Sequence, residues 1–215
     1  VLAVVALVAV CTGAGWLVFF SSVLAVDSVR VEGSGVLEES EVRRVAAVPL
    51  GTPLASVPLD AIAARVEGLA PVASVDVSRS WPDAVRIAVV EREAVAVVER
   101  DGVLRGLDDE GVVFRTFPGQ PPGLPVVRMS AGTRTEALAE AAAVIDALPA
   151  DLAGRVDHVA VETVDSISLR LRNGRTIFWG SADASDTKAE VLAVLLEQKA
   201  SVYDVSVPGQ PTIKR

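Results

Sequence analysis

The first 26 residues, VLAVVALVAVCTGAGWLVFFSSVLAV, carry no charge, and the first charged side chain is Asp27. No other feature constrains the chain so strongly. A helix rises about 1.5 Å per residue, so about 20 apolar residues cross a hydrocarbon core of about 30 Å. The run is expected to be a transmembrane helix over residues 1–26. Trp16, Phe19 and Phe20 lie in its C-terminal half, where aromatic rings settle at headgroup level. A cleaved signal peptide has a shorter apolar core, about 7–15 residues, behind a basic stretch, and no such stretch is visible. The chain opens on Val: either a non-ATG start is translated literally or the N-terminus is cut, any cytoplasmic tail with its Lys and Arg is missing, and charge gives no orientation. Cys11 sits within the apolar run, where a thiol is inert.

From Asp27 the pattern becomes that of a globular chain. Ser28 to Glu32 alternates as a half-buried strand does, and Gly33-Ser34-Gly35 breaks it. Residues 38–47 read as a helix, with Glu38, Glu39 and Glu41 first and Arg43 and Arg44 later, the order the helix dipole favours. Pro58 opens a second helix, with Leu59, Ile62, Val66 and Leu69 at helical spacing. Strands follow around Val75 and Val77 and around Val85, Ile87 and Val89, joined by a turn at Trp81-Pro82-Asp83. The order strand, helix, helix, strand, strand packs as two helices on one three-stranded sheet.

A second region, residues 94–215, predicts a mixed β-sheet with helices on one side. Short strands are expected at 95–98, 103–107 and 112–114, separated by Asp101-Gly102 and Asp109-Glu110-Gly111. The stretch 117–125, FPGQPPGLP, is too rich in proline for helix or central strand. A helix is expected over 135–148, stopped by Pro149. Strands at 156–161, 166–172 and 176–179 follow, the last two joined by Asn173-Gly174, a hairpin signal. A last helix covers about 186–198. Val202–Val207 reads as a final edge strand, because Pro208 and Pro211 suit only an edge or bulge, with a short segment at 212–214 after it. The chain is expected to be α+β throughout its globular part.

Charge narrows the function. Acidic residues outnumber basic ones 28 to 20, which argues against nucleic acid, whose binding needs a surplus of Lys and Arg. One His and one Cys nearly exclude a His/Cys metal site and any intrachain disulfide. His158 follows Asp157, and strand neighbours point to opposite faces, so that carboxylate is not expected to orient the imidazole. Asp108-Asp109-Glu110 reads as a solvated turn. No nucleophile has a plausible base. The expectation is a protein that is not an enzyme and holds no cofactor.

One segment is specific. Residues 79–96 read RSWPDAVRIAVVEREAVA. Before it stand Val29-Arg30-Val31-Glu32-Gly33 and the strand VASVDV at 72–77; after it comes the glycine-bounded stretch from Gly102 to Phe114. Together these resemble the FtsQ/DivIB family of bacterial cell-division proteins, strongly through residue 115 and loosely afterwards. The resemblance implies a single-pass protein of the cytoplasmic membrane at the division septum, N-terminus inside and bulk outside. It implies a POTRA domain over 27–93 and a β domain over 94–215. It implies a non-enzymatic scaffold that regulates septal peptidoglycan synthesis proteins by binding bitopic partners of the FtsB and FtsL type.

Such binding fits strand addition, in which a partner pairs with an edge strand. The expected contacts are Tyr203, Val205, Val207, Gly209 and Ile213. On a gapless match the family's tyrosine contact falls on Val207 and its final tryptophan on Arg215, so both aromatic anchors are changed. Tyr203 either replaces one of them or is a packing residue. Arg79, Trp81, Pro82, Asp83, Glu91 and Arg92 are expected to be structural, with Arg79 to Asp83 forming a hairpin turn whose Trp covers the sheet. The competing class is a POTRA-type transport or chaperone module, which usually carries several such units or a long barrel.

Overall fold

The computed structural model describes residues 2–20, 22–130 and 135–215. The chain divides into two compact units, Val1–Arg92 and Glu93–Arg215.

The first unit begins with helix α1, Leu2–Phe20. Counted over its described side chains, no helix is long and apolar enough to cross a membrane. Then come β1 (Ser28–Glu32), α2 (Glu39–Ala46), α3 (Leu59–Glu67), β2 (Val72–Ser80) and β3 (Ala84–Glu91). The sheet order is β1-β3-β2. β1 runs parallel to β3 with Val29 opposite Val85 and Val31 opposite Ile87, and β2 and β3 form an antiparallel hairpin. One core joins Val42 and Ala46 of α2 and Ile62 and Val66 of α3 to Val31, Val85, Ile87 and Val89 of the sheet. The helical spacing read from the sequence is therefore the spacing of buried side chains. Gly33 ends β1 at φ +82°, and a Cβ there would sit 2.1 Å from the Val89 carbonyl oxygen, so no side chain fits.

The second unit contains β4 (Ala96–Arg100), β5 (Val103–Leu107), β6 (Val113–Phe117), β7 (Val126–Met129), α4 (Glu136–Asp146) and α5 (Ala150–Ala153). It continues with β8 (Val156–Thr163), β9 (Ser166–Leu171), β10 (Thr176–Gly180), α6 (Ser185–Leu195), β11 (Val202–Asp204) and β12 (Thr212–Lys214). All nine strands form one sheet in the order β12-β11-β10-β9-β8-β7-β4-β5-β6. The pairs β4–β7, β7–β8 and β10–β11 are parallel; the others are antiparallel. Leu138, Ala141, Ala142 and Ile145 of α4 and Leu192 of α6 share one core with Val127, Val159, Leu169, Ile177, Trp179 and Tyr203.

Three sequence expectations change here. β7 is not anticipated, because its four residues, two buried valines followed by exposed Arg128 and half-buried Met129, are too short a run to show alternation. Pro149 does not simply end a helix: it is the N-cap of the short α5. Most consequentially, the expected edge strand over 202–207 is shorter and is not an edge. α6 returns the chain parallel to β10, so Val202–Asp204 pairs with Thr176–Phe178 on one side and with Thr212–Lys214 on the other. Pro208 and Pro211 lie in the connection to β12, outside both strands. The edge is β12.

The turn between β5 and β6 also differs from a solvated one. Asp108 is buried, its Oδ1 accepting the Val112 amide at 2.6 Å, while its carbonyl accepts the Gly111 amide at 3.2 Å. Gly111 has φ +81°, and a Cβ would stand 2.4 Å from the Ala139 Cα of α4. Gly111→Ala is expected to cost about 2–4 kcal/mol by chemical denaturation, because backbone cannot step aside. Gly119, with open space around it, is expected to accept alanine within about 0.5 kcal/mol.

Candidate functional site

Tyr203 is fully buried. Its hydroxyl donates to the Gln198 carbonyl at 2.8 Å and accepts the Ala200 amide at 3.3 Å, and the Arg175 guanidinium lies 5.8 Å from its ring. Val205 is buried as well. Both residues lie inward of the edge, so neither offers a contact to a partner in this fold. Tyr203 is the packing residue, not a replacement anchor. Val207 is exposed, and Gly209 lies beside it in the connection between β11 and β12. Ile213 is half-buried against the core and stands opposite Tyr203 in the register. Thr212 and Lys214 flank it, both exposed.

Among the described residues β12 pairs on one side only. The other end of the sheet is guarded. β5 and β6 slip register between Arg105 and Leu107, and the Arg115 guanidinium of β6 lies 4.4 Å from the Phe117 ring centroid. Bulges and charged side chains are the usual means of blunting an edge.

A polar cluster fixes the approach to β11. Lys188 is buried and its Nζ donates to the Ser181 carbonyl at 2.9 Å. Burial pushes its amine below the ordinary value, opposed by Asp183 and Glu140. Glu140 accepts the Ala182 amide at 2.7 Å. The Trp179 indole donates to the Ser185 hydroxyl at 3.1 Å, and that hydroxyl donates to the Ala182 carbonyl at 2.7 Å. These bonds satisfy the loop between β10 and α6, whose backbone would otherwise be stranded at the core.

The motif residues hold the first unit together. Arg79 donates to the carbonyls of Leu54 (2.9 Å), Ala55 (3.2 Å) and Val57 (2.9 Å). It thereby caps the 3-10 turn at Leu54–Ser56. Glu91 accepts the amides of Gly35 at 2.7 Å, Val36 at 3.0 Å and Leu37 at 2.8 Å. The Asp83 carbonyl accepts the amide of Asp27 at 2.8 Å, and the Arg92 amide donates to Pro71 at 2.8 Å. Trp81 departs from expectation. It is 52% exposed and does not cover the sheet, because the turn at 81–83 with Pro82 holds it beyond the last strand pair, Ser80–Ala84.

His158 Nδ1 lies 2.8 Å from Asp157 Oδ2 and 3.3 Å from Arg128 Nη1. Alternation forbade this, but the register slips between Val156 and His158, and a bulge turns two successive side chains to one face. The hydrogen bond with His158 holds the Asp157 carboxyl below its ordinary value. Stability from a depressed carboxyl is present above its unfolded value and is lost as pH falls through the folded one. Among the described residues no group of three or more His, Cys, Asp or Glu could hold a metal ion.

Residues 24–92 match the model of the POTRA domain, FtsQ-type, and residues 96–207 match that of the cell division protein FtsQ/DivIB C-terminal region. The chain belongs to the FtsQ/DivIB family. It is 40% identical over 213 residues to cell division protein FtsQ of Streptomyces bingchenggensis, covering 94% of this chain and 80% of that one. With FtsQ of Streptomyces griseus it shares 41% over 204 residues, 90% of this chain and 98% of the other. With FtsQ of Mycobacterium tuberculosis it shares 36% over 214 residues, 99% and 68%. A solved extracytoplasmic domain of the cell division protein DivIB from Geobacillus stearothermophilus matches at 18% identity and TM-score 0.37, covering 48% of this chain and 87% of that one. The family gives a cell-division role and an α+β chain with POTRA-type and β-sheet domains. Nothing in these matches favours a transport module. The C-terminal family match stops at residue 207, so β12 lies beyond it.

Glu91 ties three amides with one carboxylate. Glu91→Ala is expected to cost about 2–3 kcal/mol, because hydrogen bonds to charged groups are the stronger ones. Glu91→Gln keeps one acceptor oxygen and should lose less. Chemical denaturation of the two variants checks the order.

Proposed function

We propose that the chain is a non-enzymatic, single-pass scaffold of the division septum that binds its partners by strand addition at β12. The N-terminus lies inside and both globular units outside the cytoplasmic membrane. The uncharged run of 26 residues in the sequence supports the anchor, since about 20 apolar residues are enough to cross a hydrocarbon core. The partners are bitopic proteins of the FtsB and FtsL type, and through them the septal peptidoglycan synthesis proteins. The non-enzymatic reading rests on the scarcity of chemistry-bearing groups: the single histidine is engaged with Asp157.

The observation that carries the proposal is the position of β12 at the end of the nine-stranded sheet, with one side of its backbone beside no strand. Unpaired N–H and C=O groups there are a template for another chain. Three residues give few bonds, each worth about 0.5–1.5 kcal/mol net. Side chains must add the rest, and Val207, Gly209 and Ile213 are the expected contacts still within reach. Aromatic anchors often dominate interfaces. With Val207 and Arg215 at the family's aromatic positions, this interface is read as weaker than one that keeps both rings.

Tyr203 and Val205 belong to the core, so deleting 201–215 would damage the sheet. Deleting only 211–215 is the sharper test. Co-purification of an FtsB-type partner with the full membrane-anchored chain should fall at least about tenfold, the factor for 1.4 kcal/mol, with a cooperative thermal transition retained. Undiminished co-purification would reject β12 as the site.

A further inference from the structure

We infer that the end of the first unit that receives the chain from α1 inserts Leu50 and Trp81 into the headgroup layer of the bilayer. This rests on the reading of residues 1–26 as a membrane anchor and extends it to two loops remote in sequence.

The placement follows from topology. β1 is parallel to β3, with Ser28 opposite Ala84. Their first residues, and the 81–83 turn between β2 and β3, therefore lie at one end of the sheet. That end is where the chain arrives from α1. Two loops are bonded to the arriving segment. The Val26 amide donates to the Thr52 carbonyl at 2.9 Å, and the Gly51 amide donates to the Val26 carbonyl at 2.8 Å. Ala25 bridges Pro53. The Asp27 amide donates to the Asp83 carbonyl at 2.8 Å. Residues 25–27 follow Phe20, the last residue of α1, by only five to seven positions. A chain that leaves the hydrocarbon there cannot carry these loops far from the surface.

Each loop presents one large apolar side chain to the outside. Leu50 is 63% exposed and Trp81 52%. Indole is suited to the headgroup layer, with an apolar body and an N–H that can donate to ester or phosphate oxygens. The charges at this end do not make it an anionic-lipid site. Asp27 and Asp83 are acidic, the Arg79 guanidinium is taken up by three backbone carbonyls, and Arg43, beside Asp27 and Leu50, donates to the Val29 carbonyl and pairs with Glu39 at 3.2 Å. The occupant is therefore the lipid interface itself, held by apolar contact. Val90, also exposed, lies at the other end of β3 and serves as an internal reference.

The test places a fluorescent NBD label on single cysteines of the full chain, with Cys11→Ser as background because Cys11 is the only native cysteine. Labels go at Leu50→Cys, Trp81→Cys, Val90→Cys and Val8→Cys. The chain is reconstituted in phosphatidylcholine vesicles and, separately, in vesicles containing phosphatidylglycerol. Lipids with a shallow or a deep nitroxide quencher read depth. Labels at 50 and 81 should be quenched by shallow nitroxide at least about twofold more than at 90, as interfacial side chains are, in both vesicle types. The label at 8 should respond to deep nitroxide. If 8 is deep while 50 and 81 match 90, loop insertion fails and the anchor stands. If quenching at 50 and 81 requires phosphatidylglycerol, the apolar account fails. If 8 is not in the bilayer, both readings fall.

Discussion

The parallel pairing of β11 with β10 decides what the second unit can offer a partner. That pairing is not a local matter of three residues. Lys188, Glu140, Ser185 and Trp179 hold the loop that launches α6, and the Tyr203 hydroxyl grips the Gln198 carbonyl where the chain returns. Between these two sets of bonds α6 has one course, and β11 is delivered to the side of β10. The chain then turns back once more as β12. A buried tyrosine with its hydroxyl satisfied is rigid, and the strand it holds is interior.

The first unit relies on a different device. Its helices and sheet are joined by short connections whose backbone groups have no ladder to enter. Arg79 supplies donors to three carbonyls and Glu91 supplies acceptors to three amides. Each is a charged side chain that directs several hydrogen bonds to one stretch of backbone outside the ladders, and hydrogen bonds to charged groups are the stronger ones. Arg79 and Glu91 of the motif thus tie the backbone of their own unit. Trp81, expected to cover the sheet, is exposed instead.

Much of this was readable because the periods were clean. Ile62 and Val66, or Val85, Ile87 and Val89, repeat at spacings that admit one element each. The Asn173-Gly174 hairpin was equally plain. What escaped detection depended on partners distant in sequence. β7 owes its existence to β4 and β8 on either side, and four residues carry no period of their own. The edge was misplaced because Pro208 and Pro211 were read as marking the 202–207 strand as an edge, when the parallel return of α6 puts β11 between β10 and β12 and the prolines in the connection. Asp157 and His158 share a face through a bulge that no alternation rule can foresee. The capping roles of Arg79 and Glu91 appear only once the carbonyls and amides they meet are in place.

The central claim is that β12, and not β11, is the open edge of the sheet. Amide hydrogen exchange on the full chain, alone and with an FtsB-type partner, tests it most directly, since exchange reports opening residue by residue. The account predicts that the amides of Tyr203 and Asp204 are protected in the free chain, and that the partner adds protection at residues 212–214. Unprotected amides at 203 and 204 in the free chain, or added protection at β6 with none at 212–214, would contradict it.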